Sequence, residues 1–262
     1  MSIIRHITGS NEENPDLAQA PVVGRVECWS PSNQPPHTHK RHQLICAVTG
    51  VIHVVTSLGE WVLPSSRALW ISSGTEHSIT LKRATETRVL YMDPDAYTLP
   101  SDSGCLSVAL TPLMREVIAS CARFRWDYIE NSPESRLASV LIDQLQVVNH
   151  VPIDLPFPSD PRAFRIAQIL RHEQSNRQSL AELAGRAASS PRTIERIFRK
   201  EVGMSFGNWR QQQRLLSSLE HLAYGESVTN VALEIGYESA SSFIAAFRQV
   251  FGTTPARYFQ SP

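Results

Sequence analysis

The chain has 262 residues, 42% apolar and 19% charged, a length that predicts one large or two ordinary domains with real cores. No run approaches the ~18 apolar residues of a membrane span, no secretory leader is read, and the cysteines at 28, 46, 105 and 121 make no C-x-x-C pair; a membrane protein, a disulfide framework and a zinc finger are not expected, and the chain reads as cytoplasmic. The net charge of zero divides unevenly, with 12 Lys+Arg against 16 Asp+Glu in residues 1–155 and 13 against 9 in residues 156–262, the asymmetry expected when one half meets nucleic acid.

Residues 22–92 carry short β-rich runs, VVGRVECW, QLICAVT, VIHVVTS, EWVL, ALWIS, HSITL and TRVLYM, broken at Gly50, Gly59, Pro64 and Ser73-Gly74. Six or seven such strands predict a small antiparallel sandwich or barrel. The period then changes. Leu113, Val117, Ile118 and Cys121, followed by Leu137, Val140, Leu141, Leu145 and Val148, recur at 3/4 spacing and predict amphipathic helices over 111–130 and 134–149. Four prolines in the eleven residues 151–161 read as an extended linker.

Beyond the linker the chain reads helical and nearly repeats itself. Ser179 opens a short apolar-periodic segment, a turn and a second segment ending before Gly203; Ser227 opens another that ends before Gly252. Each unit has a Ser N-cap, two helices and a glycine stop, so two helix-turn-helix units are expected at about 179–201 and 227–251. On a helical wheel Ile197 and Phe198 fall within about 60° of Ile194, with Arg192, Glu195, Arg196 and Arg199 on the far side. Arginine suits guanine O6/N7 and glutamate can accept from cytosine N4, so this helix, with Thr193, is expected to read bases. In the second unit Phe243, Phe247, Val250 and Phe251 form the apolar stripe, opposite Ser241, Ala245 and Arg248. Ser239, Ser241 and Ser242 suit phosphate contacts, so this unit is expected mainly to clamp backbone. The intervening 206–224 predicts a helix of roughly 27 Å, near the ~34 Å between successive major-groove faces.

Val231-Ala232, Ile235-Gly236-Tyr237-Glu238-Ser239, Ser242-Phe243, Ala246-Phe247-Arg248, Phe251-Gly252 and Thr254-Pro255-Ala256-Arg257-Tyr258 closely resemble the AraC/XylS family of transcription regulators. The first unit agrees at Leu180-Ala181, Ser190, Arg196, Phe198, Lys200 and Gly203, and the match spans about residues 162–260. The resemblance implies a DNA-binding domain over 162–262 that docks both recognition helices in adjacent major grooves of an operator and activates, or represses, transcription through RNA polymerase. It also implies that residues 1–150 bind an effector and form a homodimer, with Leu113, Val117, Leu137, Leu141 and Leu145 at the contact. The second unit departs from the family at Ile244 and Ala245, where members often carry polar or basic side chains.

In the first half, His37-Thr-His39 with Gln43 and, later, His77 looks like the cupin arrangement, in which an H-x-H pair, a carboxylate and a third histidine converge in a barrel. Positions 37, 39 and 43 share strand parity; His42 would need a bulge to join them. Two readings stay open: His37, His39 and His77 around Zn, Ni or Fe, or an organic effector lined by His37, His39, Gln43, Trp70 and His77, with Trp61 and Tyr91 as further aromatic walls. The fold class expected is α+β, a cupin-like antiparallel barrel with two helices joined to an all-α domain. The rival function is a cupin-type metalloenzyme, a dioxygenase or isomerase, carrying a DNA-binding tail; Gln43 in place of the carboxylate argues against it.

Overall fold

The computed structural model describes residues 6–7, 14–57, 59–97, 104–147, 154–173 and 176–259. The chain divides into two compact units, residues 1–57 with 61–154, and residues 155–261 with 58–60.

The first unit is antiparallel β with two helices. Its strands are β1 (His6–Ile7), β2 (Val22–Trp29), β3 (Ser32–His37), β4 (His42–Ala47), β5 (Val51–Thr56), β6 (Gly59–Pro64), β7 (Arg67–Ile71), β8 (His77–Leu81), β9 (Thr85–Met92) and β10 (Cys105–Ala109). One sheet has the order β1-β2-β9-β4-β7-β10, and the second runs β6-β5-β8-β3 within this unit. Alternation along the strands divides the apolar side chains between two cores. Val23, Ile45, Leu69, Ile71, Val89 and Tyr91 face inward and meet Ile52, Val54, Trp61, Leu63, Ile79 and Leu81 of the second sheet. Their neighbours Val22, Leu44, Ala68, Trp70, Leu90 and Met92 face outward, under α1 (Pro112–Cys121) and α2 (Pro133–Val147).

Three features depart from the sequence expectation. Strand β3, SNQPPH, was not expected, because Pro35 and Pro36 lack backbone donors; it is tolerated at the open edge of its sheet, beside β8 alone. Strand β10 also adds to the expected set, paired with β7. Helix α1 ends at Cys121 rather than near 130. Beyond it the Trp126 indole donates to the Gly24 carbonyl at 3.0 Å and the Tyr128 hydroxyl accepts from the Val22 amide at 3.0 Å, bonds that return the segment to β2 and leave no room for more helix. Gly24 is required there: a Cβ would stand 2.6 Å from the Ala122 Cα and 2.5 Å from a Leu90 methyl. Helix α2 is described to Val147, so the expected end near 149 lies outside the described residues.

Of the proline-rich stretch 151–161, residues 151–153 lie outside the described residues, Asp154–Pro156 is a short strand, and Pro161 is the first residue of α3 (Pro161–His172). The second unit continues with α4 (Leu180–Arg186), α5 (Pro191–Ile197), α6 (Phe206–Ala223), α7 (Val228–Glu234), α8 (Ala240–Phe251) and α9 (Pro255–Tyr258). Serines 179, 190, 205, 227 and 239 each cap the helix that follows, their side chains accepting from a backbone amide of its first turn. A wider five-residue turn, Phe198–Val202, extends α5 and stops at Gly203, whose φ of 76° is left-handed. Ile194, Ile197 and Phe198 are buried, with the Phe198 ring 5.4 Å from both Phe206 and Trp209; Phe243 and Phe247 are buried in the second copy. Helix α6 braces the unit. The Arg210 guanidinium donates to the Gln178 carbonyl at 2.6 Å, and that of Arg214 to the Asn176 carbonyl at 3.0 Å while lying over Gly236.

Candidate functional site

Between the two sheets of the first unit lies a cavity of about 320 Å³. Inward positions of β2 supply Arg25, Glu27 and Trp29; β4 gives Gln43 and Ile45; β9 gives Thr87, Val89 and Tyr91; His37 and His39 stand at its wall. The Trp29 indole donates to Glu27 at 3.0 Å, and the Arg25 guanidinium lies 3.9 Å from the same carboxylate and 4.9 Å over the Trp126 ring. The cavity is apolar-walled with a few fixed polar groups, the composition of a small-ligand site.

His37, His39 and His77 converge, each offering one ring nitrogen within 4.8 Å of the others. They do so across strands rather than along one strand face: His37 ends β3 directly opposite His77, which begins β8, and His39 follows in the connection to β4. Two of the rings are oriented by backbone carbonyls. His37 Nδ1–H donates to the Pro35 carbonyl at 2.9 Å and His77 Nδ1–H to the Thr75 carbonyl at 3.0 Å, leaving both Nε2 lone pairs free to face a guest. His77 is buried, and burial pushes its pKa down to about 4, with His37 and His39 adding to the shift and the Thr75 carbonyl opposing it. Burial also lowers that of His39, with His37 adding to it. Two buried side-chain atoms here have no hydrogen-bond partner, His77 Nε2 and Gln43 Oε1, and both are acceptors. Three converging imidazole nitrogens are a donor set that fits a divalent transition metal.

Trp70 does not belong to this cavity. It points to the opposite face, stacked 4.9 Å from His42 beneath the helices. His42 is turned away too, its Nδ1 accepting from the Ser73 amide at 3.0 Å. Trp61 is in the inter-sheet core without lining the cavity, whereas Tyr91 lines it, 5.0 Å from the His39 ring. Arg25, Glu27, Trp29 and Thr87 were not anticipated; the alternation in VVGRVECW, with residues 25, 27 and 29 opposite Val22 and Val26, carried the signal.

In the second unit Arg192, Arg196 and Lys200 are exposed and, among the described residues, make no ion pair. Thr193 Oγ1 lies 2.9 Å from the hydroxyl of the cap Ser190. Glu195 is not free for a base. One carboxylate oxygen accepts from Arg199 Nε at 3.0 Å and the other from the Phe206 amide at 3.2 Å, so this side chain caps α6 and occupies Arg199. On α8, Ser241, Ser242, Ala245 and Arg248 are exposed; Ser241, Ala245 and Arg248 line an open concavity with Ile244, Gln249 and Thr254. The Ser239 hydroxyl is engaged as the cap.

Of the positions expected at a dimer contact, Val117, Leu141 and Leu145 are consumed by the core beneath the helices, and Leu137 packs against it half-buried. Leu113 is 52% exposed, and Val140, on α2, is 39% exposed.

The model of the family described as an AraC-like ligand binding domain matches residues 27–144, and that of a helix-turn-helix domain matches residues 183–261. The HTH-type transcriptional regulator NimR of Escherichia coli K12 is 34% identical over 224 residues, 86% of this chain and 81% of that protein. The chain belongs to the AraC family of transcription regulators. It is a DNA-binding regulator with an N-terminal ligand-binding domain, and none of these matches supports the enzymatic rival. The HTH-type transcriptional regulator RipA of Corynebacterium glutamicum is 36% identical over 103 residues, 39% of this chain and 31% of that protein. Among solved structures, ToxT of Vibrio cholerae aligns with 92% of this chain and 98% of its own at 13% identity and a TM-score of 0.39. No helix among the described residues is long and apolar enough to cross a membrane.

Proposed function

We propose that the chain acts in the cytoplasm as an effector-controlled homodimer that reads its operator chiefly through α5 and activates transcription by contact with RNA polymerase. The observation that carries this reading is the contrast between the two recognition helices. Helix α5 exposes Arg192 and Arg196, while α8 exposes Ser241, Ala245 and Arg248. Guanidinium groups can pair bidentately with guanine in the major groove; hydroxyls and a methyl group supply phosphate contact and packing on thymine. Residues 1–150 serve as the effector and dimerisation domain, 151–161 as the linker and 162–262 as the DNA-binding domain. The effector occupies the 320 Å³ cavity against His37, His39, Gln43 and Tyr91 and shifts the population between DNA-binding states. Exposed Leu113 and Val140 supply apolar surface to the partner copy.

Selection of bound sequences from a randomised duplex pool tests the division of labour. Arg192→Ala and Arg196→Ala are expected to relax preference at one or two guanines each, at a cost of about 1–3 kcal/mol. Ser241→Ala is expected to weaken all sequences alike. A loss of base preference on Ser241→Ala or Ala245→Gly, with none on the arginine variants, would reverse the assignment.

A further inference from the structure

We infer that His37, His39 and His77 hold a divalent transition-metal ion whose remaining coordination position opens into the barrel cavity and receives a small anionic effector. This rests on the reading of the barrel as the effector domain, and names the chemistry of that effector.

Three ring nitrogens already lie within 4.8 Å of one another on three separate segments, the end of β3, the following connection and the start of β8. An ion 2.0–2.1 Å from each in tetrahedral geometry needs nitrogens about 3.3 Å apart, so the trio closes by up to about 1.5 Å, within reach of side-chain rotation. Carbonyls hold two of the rings by Nδ1, the outer contact that fixes the tautomer and aims Nε2 at a metal. An acceptor without a donor is costly when buried, yet His77 Nε2 is buried and unmatched. A cation satisfies a lone pair, whereas a second acceptor cannot. Gln43 and Tyr91, paired across β4 and β9, line the cavity beside His37 and His39.

The charge balance then selects the ligand. Three coordinated imidazoles are neutral ligands and leave the full 2+ of the ion uncompensated. The carboxylate in the cavity, Glu27, is tied to Trp29 and Arg25 on β2. The open position thus favours a carboxylate or comparable anion from solution, with the apolar cavity wall of Ile45, Ile79, Leu81 and Val89 taking its hydrocarbon part. A second group of three ligand atoms, His221, Glu226 and Glu234, lies in the helical unit. His221 already pairs with Glu226 at 3.1 Å there, leaving no unmatched acceptor to explain.

The test uses untagged full-length protein, stripped with a chelator and titrated with Co²⁺ as the spectroscopic probe, with Zn²⁺ as competitor. One equivalent of Co²⁺ with visible d–d bands, displaced by Zn²⁺, is expected. Acetate or azide added to the Co²⁺ form should shift the bands, and His77→Gln and His39→Gln should each weaken binding at least tenfold. His221→Gln should leave the spectrum unchanged. Fewer than about 0.1 equivalents bound by wild-type protein whose thermal melt shows it folded overturns the inference. So does binding that survives both barrel variants but is lost in His221→Gln. A Co²⁺ spectrum blind to both anions overturns the assignment of the effector as an anion. If DNA binding persists while no metal binds, only this inference fails; if DNA binding is absent as well, the functional reading fails with it.

Discussion

Replacing Glu195 by alanine separates a structural role from a base-reading one. Its carboxylate bonds the first amide of α6 at 3.2 Å and Arg199 at 3.0 Å, with the side chain 31% exposed. A hydrogen bond to a charged group at a helix N-terminus contributes about 1.5 kcal/mol at this partial exposure, and the solvated i,i+4 ion pair about 0.3–0.5. Glu195→Ala is therefore expected to destabilise the helical unit by about 2 kcal/mol in urea unfolding of the full chain. Glu195→Gln, which retains an acceptor of the same reach, should cost less than 1 kcal/mol. Base preference in duplex selection should not change in either variant. Unaltered stability together with a lost preference for cytosine at one operator position would refute this, since it would show the carboxylate free to accept from N4.

Thiol labelling reads the first unit. Burial raises the Cys46 thiol to about 11 and that of Cys121 to about 12, so at pH 8 each holds about a hundredth or less of an ordinary thiol's thiolate, while Cys28 is exposed. Cys28 should react promptly with a disulfide reagent, and Cys46 and Cys121 only after denaturation; prompt labelling of Cys46 would contradict the packing. Trp70→Ala should cost about 3–5 kcal/mol, the loss for a buried aromatic, because its side chain lies under the helices. Unchanged stability with lost effector binding would return it to the cavity. Leu113→Asp should weaken dimerisation in sedimentation without lowering the melting temperature, whereas Leu141→Asp should unfold the domain; a stable Leu141→Asp would show that this residue faces solvent.

The elements were legible where one face alone is buried. The serine caps, the Ile/Phe stripes and the left-handed glycines 203 and 252 mark the helical repeat, because capping and periodicity are local properties. Alternation failed on strands such as β7, buried throughout and apolar on both faces, so nothing in ALWIS says whether Leu69 or Trp70 faces the cavity. Proline content hid β3, whose edge position only tertiary pairing reveals. Helical spacing carried α1 too far because the bonds of Trp126 and Tyr128 to β2 are contacts between residues 102 and 106 apart in sequence. The histidines were legible as a set, though by a mistaken route: strand parity suggested one face, while the β3–β8 pairing brings His37 to His77. Glu195 lies on the polar side of the wheel as expected, but a wheel does not show that its oxygens are taken by Arg199 and the next helix.

Most direct for the central claim is the salt dependence of binding, by fluorescence anisotropy, to the duplex upstream of the chain's own gene. Neutralising about four or more phosphates predicts a log–log slope of about −3.5 or steeper between 50 and 200 mM salt. Affinity at 150 mM should exceed that for a scrambled duplex at least about a thousandfold, and that difference should shrink in the Arg192→Ala, Arg196→Ala double variant. Equal, salt-insensitive affinity for both duplexes would contradict a regulator that meets phosphate with its basic half and reads bases with α5.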